Sequence, residues 1–286
     1  MCRKRRDGIR LKHCDPILRM TSYIMPHRYD AQVFCKNKIN CENIDKFIRE
    51  ESEKGNKFTY MHIVIAGLVR MYAERPKMNR FVINRKIYAR KGISICFAIK
   101  KKLKEDAPET TIKLNFTGKE SIYEVKKIID DAIKENSEIN DSNDTDKVAK
   151  KLLKLPNWFL KFVMKVILFL DNRGMLPRKL INVSPFHTTC FLTNMKSIGT
   201  NYVYHHIYDF GTTSQFLSMG REHIEPVVDE NDNITKRKIL KMGMVIDERI
   251  CDGFYYAKGI KIGTKYIQNP ELLKEPLENI VEDDEI

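Results

Sequence analysis

Apolar residues recur with two periods along this chain, and their alternation predicts both helices and strands. Spacings of three to four residues predict amphipathic helices over 40–53, 57–75, 121–136 and 254–266. Short apolar runs rich in β-branched and aromatic residues predict strands over 93–98, 111–116, 184–194, 214–220 and 236–246. At 286 residues the chain is long enough to bury a full core, and we expect one large domain.

The last predicted strand enters the last predicted helix through a charged turn that ends in glycine. This turn is Asp247-Glu248-Arg249-Ile250-Cys251-Asp252-Gly253. Side chains at such a junction face the open end of a sheet, where binding and catalytic sites are commonly built. An arginine and three carboxylates in six positions are too polar for plain core, so this turn is the first candidate site.

The middle of the chain holds a polar loop and then an apolar helix. Residues 136–146 are almost wholly polar and predict the clearest loop. Residues 158–170 are apolar except for Lys161 and Lys165, which lie one helical turn apart. The helix is too short to span a membrane. The pattern is typical of a helix that packs on the core or in a subunit interface, of a lid over an acyl chain, or of a helix that lies on a membrane surface.

The charge is concentrated at the two ends of the chain. The formal net charge is +13, and the first twelve residues alone contribute +5. Residues 1–23 are predicted to be a basic arm, either a solvated or subunit-clasping tail or an arm for nucleic acid or lipid. Residues 274–286 are predicted to be an acidic tail. A net positive charge favours binding to anionic partners such as CoA phosphates, acidic membrane surfaces and nucleic acid, but it does not distinguish among them.

The cysteines and the missing motifs narrow the function classes. Seven cysteines, with no Cys-x-x-Cys pair, indicate neither a zinc site nor a disulfide framework. Reduced thiols and the lack of a secretory or membrane-spanning segment predict a cytoplasmic protein without a metal. No glycine-rich phosphate loop is present, so nucleotide hydrolysis is unsupported.

The 247–253 turn resembles the Asp-His-Arg-x-x-Asp-Gly signature of chloramphenicol acetyltransferase and of the catalytic domain of 2-oxoacid dehydrogenase acyltransferases. The resemblance implies an α/β two-layer sandwich, with a mixed sheet covered by helices, over residues 24–273. Residues 137–181 are an insert relative to this pattern. The family forms trimers with active sites between subunits, so the resemblance implies a homotrimer. Since no lipoyl module precedes residue 24, we expect a free-standing protein.

The resemblance also implies roles for individual residues. Glu248 stands where the family has its catalytic His, and a glutamate needs burial to act as a base at neutral pH. Thr193 falls at the hydroxyl position that stabilises the oxyanion. Arg28 follows His27 as in the family pattern and is expected to pair with Asp252. The structural residues of the site are predicted to be Arg28, Arg249, Asp252 and Gly253.

These residues favour a CoA-dependent acyltransferase with an altered active site. Coenzyme A or acyl-CoA would be a substrate rather than a bound cofactor, the acceptor is unknown, and no nucleic-acid partner is expected. The alternative is a non-catalytic acyl-CoA-binding or scaffold protein. A third interpretation is a membrane-surface or anion-binding protein that uses the basic arm and the helix at residues 158–170.

Overall fold

The structure is a computed structural model that describes residues 5–100, 109–138, 144–229 and 231–286. The helices are α1 (Pro16–Ile24), α2 (Glu42–Glu53), α3 (Tyr60–Glu74), α4 (Ile122–Glu138), α5 (Asp144–Leu153), α6 (Asn157–Asn172), α7 (Arg178–Val183) and α8 (Gly253–Gln268). The strands are β1 (Gly8–Arg10), β2 (Gln32–Asn40), β3 (Arg80–Ile83), β4 (Lys86–Arg90), β5 (Ile93–Lys100), β6 (Glu109–Phe116), β7 (Cys190–Asn194), β8 (Gln215–Met219), β9 (His223–Val228) and β10 (Ile234–Asp247). The predicted polar loop lies partly outside the described residues.

Seven of the described strands form one mixed sheet. Their order is β2-β10-β8-β7-β5-β6, and β9 pairs with the first half of β10. Strand β7 runs parallel to both β5 and β8, whereas the other pairs are antiparallel. Strands β1, β4 and β3 form a smaller sheet. The architecture confirms the predicted α/β class with a mixed sheet and helices.

The main core lies between the large sheet and the helices on one of its faces. Alternate residues of the central strands point into it, as the period of two requires; they include Ile95, Phe97, Leu192, Leu217, Met242 and Met244. Helix α3 is buried around nearly its whole circumference, although its sequence predicted one apolar face. It packs against α4 and α8 as well as the sheet, so its second side is covered too. None of the described helices is long and apolar enough to cross a membrane.

Both termini differ from the predicted arm and tail. From Arg5 onward the N-terminal segment belongs to the fold, because β1 pairs with β4 and the Arg5 side chain is buried. At the other end, the carboxylate of Asp283 accepts hydrogen bonds from Arg80 Nε at 2.6 Å and Nη2 at 2.5 Å. The acidic tail is therefore fixed against a buried arginine.

The segment between β7 and β8 closes against the loop that precedes β7. Gly211 has φ +88°, and its carbonyl accepts a hydrogen bond from Arg28 Nη2. A Cβ at this position would lie 2.2 Å from the Phe186 carbonyl oxygen. Only glycine combines this left-handed conformation with so close an approach of two backbone segments.

Replacing Gly211 by alanine is therefore expected to cost about 2 kcal/mol or more of unfolding free energy, from backbone strain and from the clash together. Urea denaturation measures this loss. Gly55→Ala is the matched control, because Gly55 has φ +87° but a Cβ there would meet no atom within 4 Å. Equal losses for the two variants would contradict the close approach at Gly211.

Candidate functional site

The candidate site begins where β10 passes into α8, as the sequence predicted. Strand β10 ends at Asp247 and α8 begins at Gly253. Asp252 is the N-cap of α8, and its Oδ1 accepts a hydrogen bond from the Tyr255 backbone N–H at 2.9 Å. Gly253 has an ordinary backbone conformation, and a Cβ there would meet nothing within 4 Å. The backbone conformation of the single chain therefore does not require glycine at this position.

Asp247 is the buried centre of the turn. Its side chain is fully buried and accepts two hydrogen bonds from the Arg249 guanidinium group, from Nε to Oδ1 and from Nη2 to Oδ2, both at 2.7 Å. The Arg249 backbone N–H also donates to Oδ1, at 3.2 Å. Arg28 approaches the same carboxylate, with Nε 3.5 Å from Oδ2. Two buried guanidinium groups thus share one buried carboxylate. A charge in such a place is tolerated only if it is paired and hydrogen-bonded.

Arg28 connects separate segments of the chain through their backbone carbonyl groups. Its Nη1 donates to the carbonyls of Tyr208 at 2.8 Å and Asp209 at 3.1 Å. Its Nη2 donates to those of Val82 at 2.8 Å and Gly211 at 3.1 Å. One side chain therefore joins β3, the segment before β8 and the end of β10.

The predicted ion pair between Arg28 and Asp252 is wrong. Arg28 pairs with Asp247, whereas Asp252 is exposed and caps α8. The physical reason is burial: a guanidinium that is 2% exposed needs a carboxylate in the interior, and Asp247 at the strand end is the residue that lies there. The sequence signal that could have found it was the position of Asp247 directly after an apolar run.

The pKa values of Arg28 and Arg249 shift in opposite directions, although both side chains face the same carboxylate. Burial lowers the pKa of Arg28, and the nearby charge of Asp247 only partly opposes this effect. Burial also lowers the pKa of Arg249, but its hydrogen bonds and charge interaction with Asp247 outweigh burial, so the net shift is upward. Arg249 is thus the closer partner of Asp247. It also donates from Nη1 to the Met25 carbonyl at 2.8 Å, which ties the end of α1 to the turn.

Glu248 lies beside this cluster but points away from it. Its backbone N–H donates to the Ala31 carbonyl at 2.9 Å, and its side chain is exposed. Within the described residues, the Glu248 carboxylate makes no hydrogen bond or ion pair. The burial on which a basic role for Glu248 depends is therefore absent from the single chain.

A cleft of about 570 Å³ opens over the turn. Glu248, Asp252 and Gly253 line it together, and helix α1 forms the opposite wall through Ile17, Leu18 and Thr21. The volume is within the usual range for small-molecule sites. The structure thus brings three of the predicted site residues to one concave surface.

Two further side chains of the cleft have titrating groups that burial keeps neutral. Burial raises the pKa of the Cys251 thiol to about 12, so it is not a ready thiolate nucleophile. Burial also raises the pKa of the Tyr256 hydroxyl. These two groups are therefore neutral, whereas the charged residues that line the same cleft are Asp15, Lys77, Arg80, Asp247, Glu248, Asp252 and Glu285.

Thr193 lies at the end of β7, away from the cleft. Among the described residues, its hydroxyl group makes one hydrogen bond, which it donates to Met195 Sδ at 3.8 Å. A thioether sulfur is a weaker acceptor than a substrate oxygen, so a substrate oxygen would replace it.

Strand register shows how far apart Thr193 and Glu248 lie. Gln215 of β8 is opposite both Cys190 of β7 and Ile246 of β10. From this level Thr193 is three residues away in one direction, and Glu248 is two residues away in the other. At roughly 3.3 Å per residue the separation along the sheet is about 16 Å. The two predicted catalytic residues therefore do not meet within one chain.

A second buried polar cluster was not predicted. Asp171, at the end of α6, accepts from Arg5 Nη2 at 2.8 Å, and its Oδ2 lies 3.1 Å from His187 Nε2. His187 Nδ1 lies 2.7 Å from Ser184 Oγ. Burial alone would raise the pKa of Asp171, but His187 and Arg5 lower it overall. With Arg5 also bound to Asp7, the cluster joins the N-terminal segment, α6 and the loop before β7.

The described residues show no resident inorganic centre. No group of three or more His, Cys, Asp or Glu side chains among them could hold a metal ion. The six described cysteines are free thiols.

Comparison with known proteins agrees with the resemblance in the last third of the chain. The family model of the 2-oxoacid dehydrogenase acyltransferase catalytic domain matches residues 186–274. This range contains both Thr193 and the 247–253 turn. Among curated protein sequences, none matches this chain.

Solved structures extend the similarity to nearly the whole fold. A probable dihydrolipoamide acetyltransferase from Listeria monocytogenes 4b F2365 has a TM-score of 0.56 at 15% identity, over 87% of this chain and 91% of that one. A chain from the cubic core of the pyruvate dehydrogenase multienzyme complex has a TM-score of 0.56 at 12% identity, over 90% and 88%. A chloramphenicol acetyltransferase has a TM-score of 0.53 at 12% identity, over 93% and 100%. The chain therefore has the chloramphenicol acetyltransferase type of fold.

Mutation distinguishes the contributions of the two aspartates of the turn, Asp247 and Asp252, to the stability of the fold. Asp247→Asn leaves Arg28 and Arg249 buried without a counterion, and we expect it to lower the unfolding free energy by about 3–5 kcal/mol. Asp252→Asn keeps a good helix cap, so its expected loss is below about 0.5 kcal/mol. Urea denaturation measures both. A large loss of unfolding free energy for Asp252→Asn, with little loss for Asp247→Asn, would contradict the Arg28–Asp247 pair and support the predicted pair of Arg28 with Asp252.

Proposed function

We propose that this protein is a CoA-dependent acyltransferase-like protein that uses acyl-CoA as substrate and has an altered active site. The observation that carries the proposal is the strand-to-helix turn, in which Asp247, Arg249 and Arg28 form a buried scaffold beneath an open cleft. The match of residues 186–274 to an acyltransferase family supports it. In this proposal, Glu248 occupies the position of the family's catalytic His.

The proposed chemistry assigns a role to each residue that faces the substrate. Acyl transfer from a thioester needs a base that takes the proton of the acceptor and a donor that binds the developing oxyanion. Glu248 would accept the acceptor's proton, and the Thr193 hydroxyl would donate a hydrogen bond to the oxyanion. The acceptor attacks the thioester carbonyl, and the carbon–sulfur bond of the tetrahedral intermediate then breaks. The acyl group stays on the acceptor, and the CoA thiolate takes the proton from Glu248 and leaves as the thiol.

We also propose a homotrimer, and the position of these two residues supports sites that two subunits share. Thr193 and Glu248 lie at opposite ends of the sheet in one chain, about 16 Å apart along the strands. A site that uses both needs Thr193 from a neighbouring subunit. A subunit packed over the cleft would also bury Glu248, which is exposed in the single chain, and burial favours a carboxylate as a base at neutral pH. The similarity to a chain from a multienzyme core supports such an assembly.

The proposal is tested by the release of CoA from acyl-CoA in the presence of a small thiol or alcohol, followed by chromatography. Glu248→Gln is expected to lower kcat by at least about a hundredfold, because it removes the base. Thr193→Val is expected to lower kcat by about 10²–10³-fold, because it removes the oxyanion donor. Equal rates for Glu248→Gln and the original chain would exclude Glu248 as the base.

The second candidate function is a non-catalytic acyl-CoA-binding or scaffold protein. The exposure of Glu248, which has no partner among the described residues, is the observation that favours it. If this function is correct, acyl-CoA raises the melting temperature of the protein while no CoA is released from any acceptor mixture. If acyl-CoA changes neither the melting temperature nor the rate of CoA release, both functions are contradicted.

A further inference from the structure

Helix α6 exposes a stripe of large apolar side chains that the fold does not cover. The exposed fractions include 74% for Trp158, 57% for Phe162 and 52% for Phe169. Phe159 and Val166 complete the stripe. At about 100° per residue, these five residues lie within an arc of roughly 100° on the helix. Lys161 and Lys165 are exposed immediately beside this arc.

The opposite side of α6 already packs the helix on the protein. Met164 and Ile167 face Leu176 and Leu180 across a small apolar cavity of about 230 Å³. The end of the helix is fixed by buried Asp171 through Arg5 and His187. The exposed stripe is therefore not needed to hold α6 in place.

The charges around the stripe are almost all positive. Between Lys147 and Ile181 the sequence has nine lysine or arginine residues and a single acid, the buried Asp171. Four acidic residues, Glu138, Asp141, Asp144 and Asp146, come before this stretch. In the part of the chain that the structure describes, no ion pair engages Lys161 or Lys165. These two cations thus remain free to bind an anionic surface.

We propose that the exposed face of α6 docks on an anionic phospholipid bilayer. Trp and Phe side chains insert at the boundary between headgroups and acyl chains, while lysines beside them extend toward lipid phosphates. The 16 residues of α6 give a length of about 24 Å, which suits a helix lying in the membrane plane. A second protein copy is the less suitable occupant, because the lysines would then face like charges.

The chain supplies its own reporter for this contact. Trp158 is the single tryptophan of the sequence and lies at the start of the stripe. Its fluorescence is expected to shift to shorter wavelength when phosphatidylcholine vesicles containing phosphatidylserine are added to the full chain. Co-sedimentation with the same vesicles gives an independent measure. Binding should weaken with added salt and with pure phosphatidylcholine.

Two variants test the apolar and the cationic parts separately. Phe162→Glu with Phe169→Glu keeps Trp158 but removes apolar area, and Lys161→Glu with Lys165→Glu reverses the charge. Each pair is expected to weaken vesicle binding by about tenfold or more. Lys91→Glu with Lys127→Glu is the charge-matched control at exposed positions away from α6, and it should bind like the original chain. Since all these side chains are exposed, melting temperatures should stay unchanged.

Three outcomes would overturn the proposal. The first is that the full chain fails to bind anionic vesicles, and the second is that the control pair weakens binding as much as the α6 pairs. The third is that Phe162→Glu with Phe169→Glu abolishes self-association in sedimentation velocity while vesicles bind neither this variant nor the original chain. The last outcome would identify the stripe as a contact between copies. None of these measurements depends on acyl transfer, so the docking surface is tested apart from the proposed function.

Discussion

The fold around the cleft depends on one buried carboxylate that pairs with two buried arginines. Asp247 accepts two hydrogen bonds from the Arg249 guanidinium group and lies within ion-pair distance of Arg28. Each arginine then donates to carbonyl groups of other segments: Arg249 to the end of α1, and Arg28 to β3 and the segment before β8. Without the carboxylate, both cations would be buried unpaired. This cluster therefore fixes the chain segments around the cleft, and Asp247 also lines it.

The buried residues that hold the turn in shape are different from the residue that is proposed to act as the base. The buried residues need each other, whereas Glu248 has no partner among the described residues and is exposed. A change at Glu248 thus costs the fold little, and the proposed function assigns this position an altered catalytic residue. Thr193 and Glu248 lie about 16 Å apart along the sheet, so a site that uses both needs a neighbouring subunit. The proposed acyl transfer therefore requires an assembly of two or more subunits.

Much of the fold could be predicted from the chain, because apolar periodicity reflects burial directly. The strand before Asp247, the helix after Asp252, and α6 were predicted close to their observed bounds. The partner of Arg28 was not, because pairing depends on which carboxylate is buried, and the local sequence offers several within six residues. The buried Asp171 and His187 pair was missed for a related reason. Its members are 16 residues apart, and only the packing of α6 against the loop before β7 brings them together.

The central claim, that an active site would combine Thr193 of one subunit with Glu248 of another, is tested most directly by mixing two inactive proteins. Thr193→Val and Glu248→Gln are co-expressed in equal amounts and assayed for CoA release from acyl-CoA. In randomly mixed trimers, about a quarter of the sites would hold both original residues. We therefore expect about a quarter of the original activity to return. No recovery in mixed trimers, when each single variant is inactive and the original chain is active, would contradict the shared site.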